Sequence, residues 1–417
     1  MKTPVLLLAG LLGGLASAAP TVTVTSMTQD PVTRTITVEY SLSDGPAVVT
    51  ADFMVVGETA ARRPVKSLFG DVNRKVAKSS GSFEWHPDAD WGDQANGAQL
   101  AVKLIAWPLN GLPDYMVIDL SLENVVRFYN SPDNFPWPGG VTNDVCKTDK
   151  LVLRKIPAAG VTWRMGAPSN EAGHFDDEAP HMVTLTNDYY IGVYPITQRQ
   201  SFLAWGKNPS DYSAYHDASM CPVQCISYVD FRGAVDDFPW PEQKHSVSNL
   251  SFMGKLRTRV SDCAIEFDLP TEAQWEYACR AGTGTAFNNG ESALTVDMDE
   301  IAWWSYNSMN DTDGVKMPRP VGRKKPNHWG LYDMHGNIVE HCLDWYAPIP
   351  YDSIAADTVV TNPVGPASGD CVVVRGGCWY QSAVKDFRSA CRHYNTVAPT
   401  RRSHLEGGRV ACPAEIH

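Results

Sequence analysis

Between residues 20 and 125, apolar and polar positions alternate in short runs with a period of two. Thr21–Ser26 (TVTVTS), Arg34–Leu42 (RTITVEYSL), Ala47–Val56 (AVVTADFMVV), Ala98–Trp107 (AQLAVKLIAW) and Tyr115–Leu122 (YMVIDLSL) read as strands. Turn-prone SDGP and ANGA lie between them. So many short strands in so little chain predict a small immunoglobulin- or fibronectin-like β-sandwich over residues 19–125. His86 is the single histidine of this stretch, and its acids are scattered. Its expected role is that of a spacer or adhesion module. Tyr129–Asp144 (YNSPDNFPWPGGVTND) is rich in Pro, Gly and Asn and marks a joint, with a linker over 126–145.

From residue 146 to 417 the period of two fades, and helices are announced by their caps. Thr197 is followed by Gln200 and closed by Gly206; Thr271 is followed by Gln274 and closed by Gly282. In this capping box the hydroxyl and the amide side chain satisfy orphan backbone donors reciprocally. Ser227 opens a third helix. On the Thr271 helix, Trp275, Ala278 and Cys279 share one face, which places Cys279 in the core. Few helices, short strands and long aromatic loops predict an α+β domain.

Composition narrows the class. The 417 residues are 43% hydrophobic and carry a net charge of −12, which argues against a nucleic-acid partner. The N-terminus MKTPVLLLAGLLGGLASAAP has Lys2, an apolar run from Val5 to Leu15 and a small-residue site at Ala16-Ser17-Ala18. This is the pattern of a signal peptide over residues 1–18, so the mature chain is expected to be secreted or periplasmic, without a membrane span. The ten cysteines all lie at or beyond Cys146, and an even number in an exported chain favours disulfides. Cys221 and Cys225 do not give a zinc-ligand pattern.

Ordered motifs then point to a family. WRMGAPSNEAGHFDDEAPHMVTL (Trp163–Leu185), YYIGVYPIT (Tyr189–Thr197), FDLPTEAQWEYACRAG (Phe267–Gly282) and NHWGLYDMHGNIVEHCLDWY (Asn327–Tyr346) come first. VVVRGGCW (Val372–Trp379), FRSACR (Phe387–Arg392) and GGRVAC (Gly407–Cys412) follow. Together they resemble the sulfatase-modifying-factor family, whose founding activity is that of the formylglycine-generating enzyme. The resemblance implies a C-type-lectin-like fold with little regular structure. It also implies disulfides Cys279–Cys391 and Cys263–Cys412, each stabilising by roughly 2–5 kcal/mol.

The same resemblance implies a calcium ion held by the side chains of Asp333 and Glu340 and the carbonyls of Gly336 and Ile338. Mixed carboxylate and carbonyl oxygens suit calcium. A second calcium position would use Asn307, Asp311 and Asp313. The family's oxidases hold copper(I) on two thiolates, the soft ligands that ion prefers. Here those two positions are Gln381 and Asp386. Cys378 and Cys342 are the nearby thiols from which a site could be rebuilt; each also reads as a buried thiol or half of a disulfide. His341 in EHC and Gly408 in GGR depart from the family's Trp and Phe. Another branch of the family uses non-haem iron and three histidines on a helical partner domain, which this β-rich first domain does not match.

Two functions remain. One is a lectin-like binding module for a protein or glycan ligand, using Tyr380, Gln381, Asp386, Arg388, Arg392, His393 and Arg402, with Arg401 and Tyr394 beside them. The alternative is an oxygen-dependent oxidase of protein cysteine with a rearranged metal site.

Overall fold

The computed structural model describes residues 19–57, 64–92, 99–123, 125–212, 218–242, 245–309, 314–348, 358–393 and 397–416. They form two compact units. The first takes in described residues of 1–117, 126–143 and 415–417, the second those of 118–125 and 144–414.

In the first unit the strands are β1 (Thr21–Gln29), β2 (Ile36–Ser43), β3 (Ala47–Val55), β4 (Leu68–Gly70), β5 (Arg74–Val76), β6 (Ser80–Trp85) and β7 (Leu100–Pro108). A one-turn helix, α1 (Pro87–Trp91), sits between β6 and β7. The strands make two antiparallel sheets, ordered β1-β2-β6-β4 and β5-β3-β7. Ile36, Val38, Tyr40 and Leu42 alternate inward from β2 and meet Val49, Ala51 and Phe53 of β3 in one core. Phe53 stacks on Trp85 with ring centroids 4.0 Å apart. Both sheets thus contribute to one core. Strands β8 (Tyr115–Asp119) and β9 (Val126–Tyr129) follow, so the stretch read as a joint carries a strand.

The second unit contains β10 (Lys150–Ile156), β11 (Val161–Met165), β12 (His181–Leu185), β13 (Tyr189–Gly192), α2 (Gln198–Trp205), α3 (Tyr228–Arg232), α4 (Phe252–Arg259), α5 (Glu272–Arg280) and α6 (Met298–Ile301). It continues with β14 (Val339–Trp345), β15 (Val359–Thr361), β16 (Val372–Arg375), β17 (Arg392–His393), β18 (Glu406–Gly407) and β19 (Ala411–Pro413). Three short sheet segments run β19-β13-β10, β11-β12-β15 and β17-β16-β14-β18. This is the α+β architecture with few helices and long loops that the motifs imply.

The capping boxes form as read. Thr271 Oγ1 accepts from Gln274 N at 3.2 Å while Gln274 Oε1 accepts from Thr271 N at 2.9 Å. Thr197 with Gln200 and Ser227 with Asp230 repeat the device. Helix α5 stops one residue earlier than Gly282 suggests, with Ala281 in the left-handed region at φ 47°. Trp275, Ala278 and Cys279 all point into the core.

The bridges Cys279–Cys391 and Cys263–Cys412 are not formed; none of the ten cysteines is in a disulfide in this structure. Cys279 Sγ instead lies 3.7 Å from Ser389 Oγ and 3.8 Å from His335 Nε2, in a fully buried site. Burial pushes its thiol up to about 12 and the Cys391 thiol well above the ordinary value, so both behave as small apolar groups. Among the described residues no helix is long and apolar enough to cross a membrane.

Candidate functional site

The site is built on buried charge. Glu272 and Glu276 lie one turn apart on α5 and both point inward. Arg375 of β16 reaches across, with Nε 2.9 Å from Glu272 Oε1 and Nη2 2.7 Å from Glu276 Oε2. Arg392 of β17 clasps Glu272 through Nε at 2.7 Å and Nη2 at 3.0 Å, and Arg280 Nε reaches Glu276 Oε1 at 2.9 Å. Burial alone would raise both carboxyls, but the guanidinium charges, Arg392 foremost for Glu272 and Arg280 for Glu276, hold them below the usual range. Two further clasps use the same chemistry: Arg388 with Glu178 at 2.8 and 2.7 Å, and Arg409 with Glu340 at 2.8 Å through both Nε and Nη2.

Asp344 has no such partner. Its Oδ2 accepts from Glu272 N at 2.7 Å, and burial, then the charge of Glu272, push its carboxyl up to about 7. A carboxyl raised in the folded state contributes its stability below the unfolded value near 4 and loses it as pH rises towards 7. Asp344→Asn should therefore gain on the wild type across that window, by up to about 1.4 kcal/mol per pH unit. Urea melts at pH 4, 5, 6, 7 and 8 would show it; parallel pH profiles of the two proteins would refute the assignment.

Above the arginine network opens a cleft of about 490 Å³, lined by Gln381, Asp386, Arg392 and His393 together with Phe175, Asp176, Asp177, Tyr346 and Cys391. Tyr346 O–H donates to Asp177 Oδ2 at 2.7 Å, and the Arg392 guanidinium carbon stands 4.8 Å from the Tyr346 ring centroid. Gln381 is fixed at both ends. Its Oε1 accepts from Cys378 N at 2.9 Å and its Nε2 donates to His393 Nδ1 at 3.2 Å. Burial pushes His393 down to about 3, so the ring is neutral, and burial raises the Asp386 carboxyl.

Four of the residues read as a binding surface thus come together here. Arg388 does not join them: it is 0% exposed and fully spent on Glu178 and Glu171, a structural clasp rather than a contact residue. Arg392 lines the cleft, but Glu272 claims its charge. Tyr380 is 60% exposed, with its ring against Trp379, and Arg402 pairs with Asp230 at 2.7 Å; neither lines the cleft. Asp176, Asp177 and Tyr346 were not read as site residues. Their signal was the FDD run and the closing WY of quoted motifs, which shows nothing of the cleft until β17 is folded beside them.

The two nearby thiols are enclosed by the fold. Cys378 and Cys342 are both 0% exposed. Burial pushes Cys378 up to about 12 and Cys342 well above its ordinary value. The two departures, His341 and Gly408, meet at one ring. A Cβ on Gly408 would lie 3.0 Å from the Phe231 ring, and the buried His341 ring sits 6.0 Å from it.

In the DMHGNIVE segment, Asp333 is 3% exposed and its Oδ2 accepts from Gly322 N at 2.7 Å, while Oδ1 has no hydrogen-bond partner. Glu340 takes both Arg409 nitrogens and Trp275 Nε1 at 2.8 Å, which leaves about one of its four acceptor positions open. Gly336 has φ 127°, and a Cβ there would meet Trp303 O at 2.6 Å. An orphaned, buried carboxylate oxygen beside a second carboxylate fits a hard cation. At the second position Asn307 is engaged by Trp304 N, Asp299 and the Ala302 carbonyl, and Asp311 and Asp313 lie outside the described residues. Among the described residues no cluster of three or more His, Cys, Asp or Glu side chains could hold a metal.

A loop-rich α+β unit, stapled by buried arginine–glutamate clasps and opening one cleft over β17, defines the class. The chain matches the sulfatase-modifying factor enzyme 1-like domain over residues 155–413, more than half its length, and belongs to that family. It is 35% identical over 270 residues to a formylglycine-generating enzyme of Thermomonospora curvata, covering 58% of this chain and 88% of that enzyme. A chaperone protein LppX of Paenibacillus barcinonensis is 30% identical over 192 residues, 40% of this chain and 65% of LppX. A serine/threonine-protein kinase Pkn1 of Chlamydia trachomatis is 31% identical over 259 residues, 61% of this chain but only 38% of the kinase's own length. Among solved structures, Treponema denticola variable protein 1 aligns at 25% identity over 63% of this chain and 95% of its own, with a TM-score of 0.49.

Proposed function

We propose that this chain is an exported, ligand-binding member of its family that does not make formylglycine. One observation carries the reading. The two positions matching the family's copper thiolates, Gln381 and Asp386, line a single cleft as an amide and an acid, and the one sulfur lining it, Cys391, is a buried thiol. An amide and a carboxylate offer hard oxygen donors, poor partners for copper(I). What the cleft does offer is acids and aromatic faces: Asp176, Asp177, Asp386, Phe175 and Tyr346. That set suits the hydroxyls of a glycan or a basic side chain of a protein ligand.

The test is mass spectrometry on a peptide with a Cys-x-Pro-x-Arg motif, incubated with the protein, copper(I), oxygen and a reductant. The peptide cysteine should remain a thiol; conversion to the aldehyde would overturn the reading. In parallel, glycan and peptide arrays are probed with the mature protein. A ligand seated in the cleft should bind about tenfold more weakly to Asp386→Ala, a loss of about 1.4 kcal/mol.

The same reading includes calcium as a structural ion, held by the carboxylates of Asp333 and Glu340 and the Gly336 and Ile338 carbonyls. The ion would supply the positive charge that the orphaned Asp333 oxygen lacks. Free calcium at a hundred times its Kd should then stabilise the protein by about 2.7 kcal/mol, and Asp333→Ala should abolish the gain. A melting temperature indifferent to calcium and chelator in the wild type would remove the ion from the account.

A further inference from the structure

A second cavity, also of about 490 Å³, lies between β13, β19, the N-terminus of α5 and the loops carrying Trp240 and Asn362. It shares no lining residue with the acidic cleft. Its size falls within the range of small-molecule sites. Leu185, Leu269, Pro363, Val364 and Pro413 supply aliphatic wall, and the Tyr189 and Trp240 rings supply aromatic wall.

Asn187, Asp188 and Gln274 also line the cavity; Asp188 Oδ1 accepts from Ala158 N and Ala159 N, each at 2.9 Å, and Gln274 Oε1 from Thr271 N at 2.9 Å. The polar tips of four other lining residues are turned onto protein. Trp240 Nε1 donates to Val364 O at 2.9 Å and Tyr189 O–H to Gln274 O at 2.6 Å. Asn362 is held by Thr186, with Oδ1 accepting from its N–H at 2.9 Å and Nδ2 donating to its hydroxyl at 2.7 Å. Thr271 is occupied by the capping box. His245 differs. Its Nδ1 lies 3.2 Å from Asp268 Oδ2, and Asp268 Oδ1 in turn takes Arg232 Nε at 2.8 Å and Leu269 N at 2.9 Å. Asp268 and Arg232 are buried, whereas the His245 side chain is 28% exposed and lines the cavity 5.6 Å from the Trp240 ring.

The relay fixes the ring's chemistry. A carboxylate paired with arginine is an acceptor, so the nitrogen facing it, Nδ1, carries a proton, and in the uncharged tautomer that this selects the lone pair is on Nε2. Such an acceptor, on a side chain that lines a cavity with aliphatic and aromatic wall, selects a ligand that brings its own donor.

We propose that this cavity binds a small aromatic compound bearing a hydroxyl group, with His245 accepting the hydroxyl proton in a hydrogen bond. The discriminating alternative is that Arg232, Asp268 and His245 only pin their loop. Two probes separate these, 4-methylphenol and toluene, titrated by NMR into the full-length protein. They share a ring and a methyl group and differ in the donor. The wild type should bind 4-methylphenol at least about tenfold more tightly than toluene, because a site built for a hydroxyl rejects the analogue lacking it. His245→Ala should bring the two affinities together, and Val364→Trp, which fills the cavity and leaves the relay intact, should abolish both. Failure of both probes to saturate, or equal affinities on the wild type, overturns the proposal even if His245→Ala does not fold.

Discussion

Replacing Arg375 by Met should cost the second unit about 3–5 kcal/mol, the largest loss expected from any single exchange discussed here. The residue is 1% exposed and bonds Glu272, Glu276 and the carbonyls of Ser389 and Cys391. Its loss strands two carboxylates in the core with only Arg392 and Arg280 to compensate them, and removes the tie between α5, β16 and the segment leading into β17. The control is Arg402→Ala. Arg402 makes an equally short two-pronged bond to Asp230, but its side chain is 62% exposed, where water and salt screen the pair. That exchange should cost no more than about 1 kcal/mol. Guanidinium unfolding of the three proteins, followed by tryptophan fluorescence, measures the difference. Equal midpoints for the two variants would mean that burial does not decide the worth of these clasps.

The second large effect is a gain. Gln381→Cys combined with Asp386→Cys puts two thiols on the wall of one cleft and should change copper(I) uptake from none to about one equivalent, since thiolates are the ligands that ion selects. Competition against a chromogenic copper(I) chelator reads this directly. Each single variant should take up much less, because one thiolate does not complete the pair. Uptake by the unmodified protein equal to that of the double variant would show that its own thiols, the half-exposed Cys225 and Cys371 included, already hold the ion. If copper binds the double variant and the peptide cysteine is still not oxidised, the obstacle lies in the cleft's shape, and the packing of Phe231 against Gly408 and His341 becomes the next target.

Several features were legible because local chemistry dictates them. A period-two pattern buries one face of a strand, so the β2 core was readable, whereas β3 buries Ala47 to Ala51 on both faces. A hydroxyl three residues before an amide side chain satisfies the same two backbone donors wherever it occurs, so the caps of α2 and α5 were readable too. Helix α4 was not. Its segment FMGKLRTR is polar on average and holds a glycine, and it is helical because Phe252, Met253 and Leu256 find a core to fill.

The sequence by itself determined the family, the α+β class and the identity of the groups at positions 381 and 386, since each follows from residue types in fixed order. Only the tertiary structure decided which charges are buried. Arg388 and Arg392 look like surface residues in the chain, and the carboxylates that draw them inward, Glu178 and Glu272, lie 210 and 120 positions away. It likewise brought Asp176 and Asp177 to the same cleft as Asp386 and turned His245 towards Asp268. A charge or a hydrogen-bond donor takes its meaning from its partner and from the water around it, and both are set by folding rather than by neighbours along the chain.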